Sequence, residues 1–371
     1  MEKSGKKRIL HVITGLKTGG AETMLTTFLE NNKSEEFEHI VCSVYSGGEL
    51  ENRLKNTGIT IINLNISNKI FIPLAFIKFS QVVHKIKPDI IQSYLFLDNI
   101  LARAVGKIFG KKIICGKRNA IAEHSSMVNI LDRITLNLAD IVVSNFNDGL
   151  TELKSWNFDE KKLVYIPNAK DISKFKILLS KNEAKKKLGY DNKTILIGYI
   201  ANFIWYKGHE NLVYAMGSIV NYNPACVLLL IGEGKRLNDI KSLVNKLGLE
   251  KNVVFLGKRN DIPIILNALD VYVSSSLYEG MPGAIMEAMA CGLPCVTTEA
   301  GGTKDLIKNY DNGILVPVKS SKQLAISILE LIKDENLAKK LGNAAKETIS
   351  NSFTIEKMVN SYNDLYKKLT E

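Results

Sequence analysis

The sequence has few of the features that mark secreted, disulfide-stapled or membrane-spanning proteins. Its 371 residues include five cysteines and two tryptophans. An odd number of cysteines without regular spacing argues against a disulfide framework. The longest apolar stretch, residues 70–79, has about half the length of a membrane-spanning helix. We therefore expect a reduced, globular chain that does not cross a membrane.

No export signal is visible at the amino terminus. The segment MEKSGKKRILHVIT begins with basic residues but runs directly into a strand-like stretch, without a cleavable apolar region. We expect the protein to be cytoplasmic. Peripheral association with the inner face of the cell membrane is the alternative.

Positive charge is in excess. The chain has 49 lysines and arginines against 38 aspartates and glutamates, a formal net charge of +11. This balance favours anionic partners such as a pyrophosphate-bearing ligand or an anionic membrane surface. A lysine-rich composition could equally arise without any electrostatic purpose. Charge alone suggests a nucleic-acid-binding protein, but no recognition motif accompanies it, so we expect no nucleic acid partner.

Short apolar runs alternate with segments of helical periodicity along the whole chain. This pattern occurs once over residues 9–145 and again over residues 194–298, and it is typical of parallel sheets wrapped by helices. A polar, lysine-rich stretch, residues 171–192, separates the two series. We predict an α/β protein of two Rossmann-like, doubly wound domains that face each other across a cleft, with ligands at the carboxyl ends of the strands.

The most informative segment is SSSLYEGMPGAIMEAMACGLPCVTTEAGG, residues 274–302. A buried strand ends in serines, Pro282 suits the first helical position, and Gly292 with Pro294 ends the helix. Free N–H groups at residues 280–283 and the positive helix end favour binding of a diphosphate. Glu279 stands in front of this helix and Glu287 lies farther along it, so the two carboxylates could bind opposite ends of a nucleotide sugar.

This segment resembles the E-x7-E signature of glycosyltransferase family 4, whose members are retaining enzymes of the GT-B fold. The resemblance continues through DIPIILNALDVYVSSSLYEGMPGAIMEAMACGLPCVTTEAGGTKDLI, NGILVP and the crossover IPNAKD, and is weakest over residues 65–130. It implies an acceptor-binding domain at 1–170, a nucleotide-sugar-binding domain at 171–354, and a final helix at 355–371 that packs back on the first domain.

The resemblance also implies a set of site residues. Lys207 matches the family's phosphate-binding lysine, and with Glu279 and Glu287 it is expected to carry catalysis. The residues expected to bind the donor are Gly19, Gly20, Glu22, Asn202, Lys207, Lys258, Arg259, Glu279, Gly280, Met281, Pro282, Gly283 and Glu287. No metal ligand and no cofactor is expected, and a UDP-sugar is the expected donor substrate.

Two loops have both structural and functional interpretations. GLKTGGAE, residues 15–22, follows the first strand, and its glycines would let backbone approach a phosphate or sugar, although an ordinary strand-to-helix turn has the same composition. It resembles the family's G-G-A-E loop. In GKRND, residues 257–261, Asp261 is favoured as the N-cap of the next helix over a ligand contact.

The sequence departs from the family at two positions. Asn202 stands where relatives have an arginine before the phosphate-binding lysine, and Ile204 replaces an arginine found in others. Diphosphate stabilisation would then depend on Lys207, the helix end and Arg259 or Lys258.

In the first domain, the family histidine near the reacting sugar is absent. Arg118, Asn119 and His124 are the candidates for acceptor binding in its place. Residues 69–87 combine apolar residues with lysines. They could lie in a membrane interface and reach a lipid-linked acceptor, or form an ordinary helix packed on its sheet.

We predict a hexose or N-acetylhexosamine transferase that acts on a glycan acceptor, such as a polyprenyl-linked intermediate of a bacterial surface polysaccharide. The acceptor hydroxyl would attack on the face of the leaving group, whose phosphate takes the proton while Lys207 stabilises the developing charge. A nucleotide-sugar 2-epimerase of the same fold is the alternative. A dinucleotide oxidoreductase is disfavoured because the first glycine cluster is not G-x-G-x-x-G.

Overall fold

The computed structural model describes residues 5–17, 19–66, 72–118, 126–175 and 179–371. Its contacts divide the chain into two compact units. Unit 1 comprises Met1–Ala169 and Ile355–Glu371, and unit 2 comprises Lys170–Thr354. Each unit is built on one fully parallel sheet, as the alternating pattern predicts.

The sheet of unit 1 has seven strands in the order β3-β2-β1-β4-β5-β6-β7. The strands are β1 (Lys7–Ile13), β2 (Phe37–Ser43), β3 (Thr60–Asn63), β4 (Ile90–Ser93), β5 (Lys112–Lys117), β6 (Ile141–Ser144) and β7 (Leu163–Tyr165). The helices of this unit are α1 (Gly20–Asn31), α2 (Glu49–Lys55), α3 (Ile72–Ile86), α4 (Phe96–Ile108), α5 (Ser126–Thr135), α6 (Asn147–Ser155) and the carboxyl-terminal helix (Ile355–Thr370).

The sheet of unit 2 has six strands in the order β10-β9-β8-β11-β12-β13. They are β8 (Ile195–Ile200), β9 (Cys226–Ile231), β10 (Val253–Gly257), β11 (Val271–Ser274), β12 (Cys295–Thr298) and β13 (Ile314–Val316). The helices are α7 (Lys181–Lys187), α8 (His209–Tyr222), α9 (Leu237–Lys246), α10 (Ile262–Ala268), α11 (Gly283–Ala290), α12 (Thr303–Leu306), α13 (Ser321–Lys333) and α14 (Glu335–Ser352), and the carboxyl-terminal helix of unit 1 is α15.

Each sheet is covered on both faces by apolar side chains. Successive side chains of one strand point to opposite faces of the sheet and therefore belong to two different cores, as Leu228 and Leu229 of β9 do. Strands covered on both faces are continuously hydrophobic, and all six residues of β9 are hydrophobic. Burial of these faces supplies the main stabilisation of each unit.

Strand order reverses between β1 and β4 in unit 1, and between β8 and β11 in unit 2. Loops that leave neighbouring strands in opposite directions open a crevice at such a point, where α/β sheets bind ligands. In unit 2 the two loops concerned are the one after β8, which carries Lys207, and the one after β11, which carries Glu279.

Helix α15 packs on unit 1 through an apolar stripe. Met358, Tyr362 and Tyr366 are buried in the same core as Phe28 of α1. The Tyr366 hydroxyl donates a hydrogen bond to the Gln92 side chain of β4, so the helix is also fixed by a buried polar contact.

Residues 171–192, the polar stretch predicted to separate the two series, contain a 3-10 helix at Ile172–Phe175 and helix α7. Ser180 and Glu183 form a reciprocal capping box at the start of α7. This pair satisfies backbone N–H groups that would otherwise be unpaired, and it stabilises a short helix in a polar sequence.

Candidate active site

The loop after β11 places Glu279 in a network of buried hydroxyl groups. Ser276, which is fully buried, donates a hydrogen bond of 2.6 Å to Glu279 Oε1. The Tyr199 hydroxyl lies 2.9 Å from Ser276 Oγ and 2.8 Å from the carbonyl oxygen of Lys207. Burial, together with the charge of Glu279, raises the pKa of Tyr199, so its hydroxyl remains protonated. The buried hydroxyl groups of Ser276 and Tyr199 therefore hold the Glu279 side chain in one orientation.

Lys207 is the second charged group at this position. It ends a 3-10 helix, Trp205–Lys207, and its Nζ lies 2.6 Å from Glu279 Oε1. Both side chains are mostly buried, with exposed fractions of 19% and 11%. An ion pair that is this far removed from solvent is screened less than a surface pair.

Two glycines allow these loops to approach each other. Gly208 follows Lys207 with φ +61°, and a Cβ there would lie 2.2 Å from the carbonyl oxygen of Ser275. Gly301 has φ +52°, and its Cβ would lie 2.1 Å from the carbonyl oxygen of Glu279. Only glycine combines a positive φ with so close a contact, so the loops after β8 and β12 depend on Gly208 and Gly301 to approach the loop after β11.

Helix α11 begins beside this pair. Pro282 was predicted to be the first helical residue, but it precedes the helix, with ψ 103° and a carbonyl that accepts the hydrogen bond of Met286 N–H. No side chain caps the helix. The first N–H groups of α11, including that of Gly283, therefore remain available to an anion.

Glu287 lies on the second turn of α11 and has a lysine partner of its own. Lys170 Nζ is 2.5 Å from Glu287 Oε1. The exposed fractions of the two side chains are 26% and 18%. Each glutamate of the E-x7-E pair is thus bound by one lysine, Glu279 by Lys207 and Glu287 by Lys170.

The loop after β10 differs from its prediction. Asp261 does precede α10, but its carboxylate makes no capping hydrogen bond. It binds the guanidinium group of Arg259 instead, with N–O distances of 2.8 and 2.6 Å. Pro263, at the second helical position, has no N–H, and the N–H of Ile264 at the third donates to the carbonyl of Asp261, so neither is left for the carboxylate. Lys258 is exposed in the same loop.

Asn202 and Met281 complete the donor-binding residues predicted in unit 2. Asn202 is exposed in the loop after β8, where its carbonyl accepts the N–H of Ile204. Met281 is buried in the core beneath α11, together with Ile285. Gly280 is partly exposed between Glu279 and Met281.

The predicted residues of unit 1 that the structure describes follow the carboxyl ends of β1 and β5. Gly20 begins α1, and a Cβ on Gly19 would lie 2.3 Å from a carboxylate oxygen of Glu22. The Glu22 carboxyl group thus lies over the start of its own helix. Burial raises the pKa of Glu22, while its backbone N–H and the charge of Arg118 act in the opposite direction.

Arg118 is anchored within unit 1. Its terminal nitrogens donate hydrogen bonds of 2.9 Å to Asn168 Oδ1 and to the Tyr362 hydroxyl, and its guanidinium carbon lies 5.3 Å from the Tyr94 ring centroid. These contacts join the end of β5 to the chain after β7 and to α15. Asn119 and His124, the other two acceptor candidates, lie outside the described residues.

Sequence reasoning missed Lys170, Tyr199 and Ser276. The last two could be found only through the fold, since serine and tyrosine near a strand end are common. Lys170 had a visible signal, because it is a lysine directly after the IPNA crossover. In the described part of the chain, no group of three or more His, Cys, Asp or Glu residues could hold a metal ion.

Two family models match the chain in succession. The model described as Glycosyltransferase Family 4 matches residues 18–174, and the model described as Glycosyl transferases group 1 matches residues 180–348. The chain belongs to glycosyltransferase family 4. It is therefore a glycosyltransferase, and the two predicted Rossmann-like domains are those of this enzyme family.

Curated relatives share this class. The chain is 28% identical to the UDP-Gal:alpha-D-GlcNAc-diphosphoundecaprenol alpha-1,3-galactosyltransferase of Escherichia coli, over 79% of this chain and 78% of the relative. It is 27% identical to the N-acetyl-alpha-D-glucosaminyl L-malate synthase of Bacillus anthracis, over 78% and 77%.

Solved structures establish the fold of the family 4 chain as GT-B. HepE of Anabaena, crystallised with UDP and glucose, superposes with a TM-score of 0.86 and 21% identity over 98% of this chain and all of that chain. Sucrose-phosphate synthase of Thermosynechococcus elongatus superposes with a TM-score of 0.83 and 19% identity, over 98% and 99%.

Proposed function

We propose that this enzyme transfers a hexose or N-acetylhexosamine from a UDP-sugar to a glycan acceptor, with retention of configuration at the anomeric carbon. The observation that carries the proposal is the pair of lysine–glutamate contacts around the start of α11. These contacts hold both carboxylates and Lys207 near the start of α11, which supports binding of the sugar by Glu279, of the ribose by Glu287 and of the diphosphate by Lys207.

The donor would be bound along α11. The diphosphate would accept hydrogen bonds from the first N–H groups of the helix, near Gly283. Glu287 would accept hydrogen bonds from the ribose hydroxyls, and Glu279 from hydroxyls of the transferred sugar. Binding of UDP and of UDP-glucose by HepE, which has the same fold, supports uracil as the base.

In the proposed reaction, the bond between the anomeric carbon and the diphosphate oxygen breaks while the acceptor oxygen bonds to the same carbon on the same face. The acceptor proton passes to an oxygen of the departing phosphate, so the products are the glycoside and UDP. Lys207 stabilises the charge that develops on the diphosphate. Glu279 holds the sugar and the ammonium of Lys207 in place, and no covalent glycosyl-enzyme is formed. The scheme uses no metal ion.

A polyprenyl-linked glycan is the proposed acceptor. The E. coli relative, by its name, acts on a sugar joined through a diphosphate to undecaprenol. Such an acceptor resides in a membrane, and the described residues of unit 1 expose apolar side chains that could reach it. Ile77 of α3, and Ile130 and Ile134 of α5, are 58%, 59% and 71% exposed. No helix in the described ranges is long and apolar enough to span a bilayer.

Helix α3 uses its other face to pack on the sheet. Ala75, Phe79 and Val83 are fully buried against β-strand residues of unit 1. The first residues of the predicted amphipathic segment, 69–71, lie outside the described ranges. The proposal therefore includes peripheral contact with an anionic membrane, made by the exposed faces of both α3 and α5.

The decisive experiment incubates the purified enzyme with a panel of UDP-sugars and an undecaprenyl-diphosphate-linked sugar, and then determines the anomeric configuration of the product by NMR. An axial (α) product from an α-linked donor is expected. An inverted product would contradict the mechanism. Epimerised donor formed without acceptor would instead assign the site to an epimerase.

A further inference from the structure

Lys170 lies along the same face of α11 as the proposed donor site. Its Nζ is 2.5 Å from Glu287 Oε1. A Cβ built on Gly283 would lie 3.2 Å from that Nζ and 3.1 Å from Lys170 Cε. Residues 283 and 287 are four apart and share one side of the helix. The lysine side chain therefore covers the surface between the first turn of α11 and Glu287.

The backbone of Lys170 is fixed to unit 2, while its ammonium group remains accessible. The Lys170 N–H donates a 3.4 Å hydrogen bond to the carbonyl of Phe353. Ile172 and Phe175, in the 3-10 helix that follows, pack against the core beneath α11. The side chain keeps an exposed fraction of 26%, so a ligand could reach the ammonium group without displacing the backbone.

Three other cations near the strand ends of unit 2 already bind carboxylates. Lys207 binds Glu279 in the loop after β8, where residues 202 and 204 are asparagine and isoleucine. Arg259 is held by both oxygens of Asp261. Arg236 contacts Glu210 and Asp239.

The charges of the two lysine–glutamate pairs cancel, whereas a nucleoside diphosphate brings about two to three negative charges. If the ribose hydroxyls take up Glu287, the ammonium group of Lys170 is left beside the first turn of α11, where the phosphate oxygens would lie. A charged donor to phosphate is worth more than a neutral one. The lysine would thus exchange or share its carboxylate partner when the donor binds.

We propose that Lys170 contacts the donor, with its ammonium group bound to the diphosphate, and that it supplies the second cation which the loop after β8 lacks. This inference rests on the proposed function. It differs from that proposal in assigning a substrate contact to the crossover segment, and it predicts that affinity for the diphosphate and affinity for the nucleoside respond differently to loss of the lysine.

The test measures binding of UDP and of uridine by isothermal titration calorimetry to the wild type, Lys170→Met and Lys170→Arg. Lys170→Met is expected to weaken the binding of UDP about 10- to 100-fold, which is the effect of removing one charged hydrogen bond. Uridine affinity should stay the same or increase, because Glu287 is released. Lys170→Arg keeps a cation and should restore most of the UDP affinity. Lys186→Met, an exposed lysine of α7, is the control for loss of one positive charge.

A second background separates contact with the donor from simple neutralisation of Glu287. In the Glu287→Gln variant, no carboxylate needs a counter-ion. Adding Lys170→Met to this variant should still weaken the binding of UDP about tenfold or more. Equal losses for UDP and uridine, no loss of UDP affinity, or a loss that vanishes in the Glu287→Gln background would overturn the inference. Tighter UDP binding by Lys170→Met would also overturn it, since the lysine would then compete with the donor.

The outcomes also distinguish this inference from the proposed donor. The same titrations are run with GDP, ADP and TDP and their nucleosides. If another diphosphate binds the wild type and UDP does not, uracil is the wrong base, and Lys170 is tested with the diphosphate that binds. If none of the four binds, both proposals fail. If UDP binds and Lys170→Met changes nothing, only the role of Lys170 fails.

Discussion

The ammonium group of Lys207 lies 2.6 Å from Glu279 Oε1, and the same carboxylate oxygen accepts a 2.6 Å hydrogen bond from Ser276. One oxygen thus has both a cationic and a neutral donor, and in the proposed reaction the carboxylate also binds the transferred sugar. This arrangement fixes the position of the cation before any diphosphate arrives. Preorganised charge of this kind stabilises a transition state without reorganisation during the reaction.

We expect Lys207→Met to lower kcat about 10²- to 10³-fold, the range found when one preorganised donor is removed. Loss of the cation also leaves the Glu279 carboxylate without its partner, so the free energy of unfolding should fall by about 1–3 kcal/mol. The double variant Lys207→Met/Glu279→Gln should regain stability but not turnover. Steady-state kinetics and urea unfolding measure the two effects. Recovery of activity in the double variant would show that Lys207 has only a structural role.

Glu287 is expected to select for the ribose diol. The wild type should bind uridine more tightly than 2′,3′-dideoxyuridine, because a carboxylate accepts strong hydrogen bonds from hydroxyl groups. The Glu287→Ala variant should bind uridine about tenfold more weakly than the wild type does, and should bind the two nucleosides with almost equal affinity. Titration calorimetry with the two nucleosides gives both numbers. A variant that still prefers uridine would place the ribose elsewhere.

Gly208 and Gly217 offer a matched pair at and within helix α8. Alanine at Gly208 would place a Cβ 2.2 Å from the carbonyl oxygen of Ser275 in a backbone with φ +61°. We expect Gly208→Ala to destabilise unit 2 by about 2 kcal/mol or more and to displace Lys207. Gly217 has open space around its Cβ position, so Gly217→Ala should stabilise the helix by about 0.5–1 kcal/mol. Urea denaturation compares them, and a loss of similar size in both variants would refute the steric argument.

The stability of unit 2 should fall in acid through His209. Burial, with the charges of Lys207 and Arg236, lowers the pKa of His209 to about 3 in the folded state, compared with 6.5 when unfolded. Below pH 6.5 the unfolded chain therefore binds a proton that the folded chain does not, and the stabilisation present above 6.5 is lost as the pH falls towards 3. At pH 5 this loss amounts to about 2 kcal/mol.

The variant that checks this is His209→Phe, since the imidazole stacks on Phe203 with ring centroids 4.3 Å apart and a second aromatic ring keeps that contact. The difference in free energy of unfolding between pH 7 and pH 5 should be smaller than in the wild type by about 2 kcal/mol. An unchanged difference would mean that His209 is protonated in the folded state at pH 5.

Most of the fold could be predicted because apolar periodicity and turn residues are local signals. The second alternating series, predicted over residues 194–298, contains strands β8 to β12, and the predicted final helix corresponds to α15. The edge strands β7 and β13 were not predicted, since three residues are too few to show a period. Helix α7 was also missed, although Ser180 and Glu183 have the spacing of a capping box.

The candidate site could be predicted only in part. The resemblance to family 4 pointed to Lys207, Glu279 and Glu287 as separate motifs. Lys207 and Glu279 are 72 positions apart, and Lys170 and Glu287 are 117 positions apart. No periodicity in the sequence encodes contacts over such separations. Lys170 directly follows the IPNA crossover in the sequence, but it was overlooked because its contact with Glu287 is visible only in the fold. The Arg259 contact with Asp261 shows the converse, since a local pair displaced the capping bond that was expected.

The exposed apolar residues of α5 give the last prediction. Ile130 and Ile134 are 59% and 71% exposed and lie four residues apart, on one side of the helix. If this side enters a membrane interface, Ile130→Ser/Ile134→Ser should weaken binding to phosphatidylglycerol vesicles about tenfold or more, because each isoleucine contributes apolar area. Ile326→Ser, which removes a 48% exposed isoleucine from α13 of unit 2, is the matched control. Turnover of a water-soluble acceptor should be unchanged in all variants, so a loss confined to the lipid-linked acceptor would assign α5 to membrane contact. Equal vesicle binding by all three proteins would instead restrict α5 to a role within unit 1.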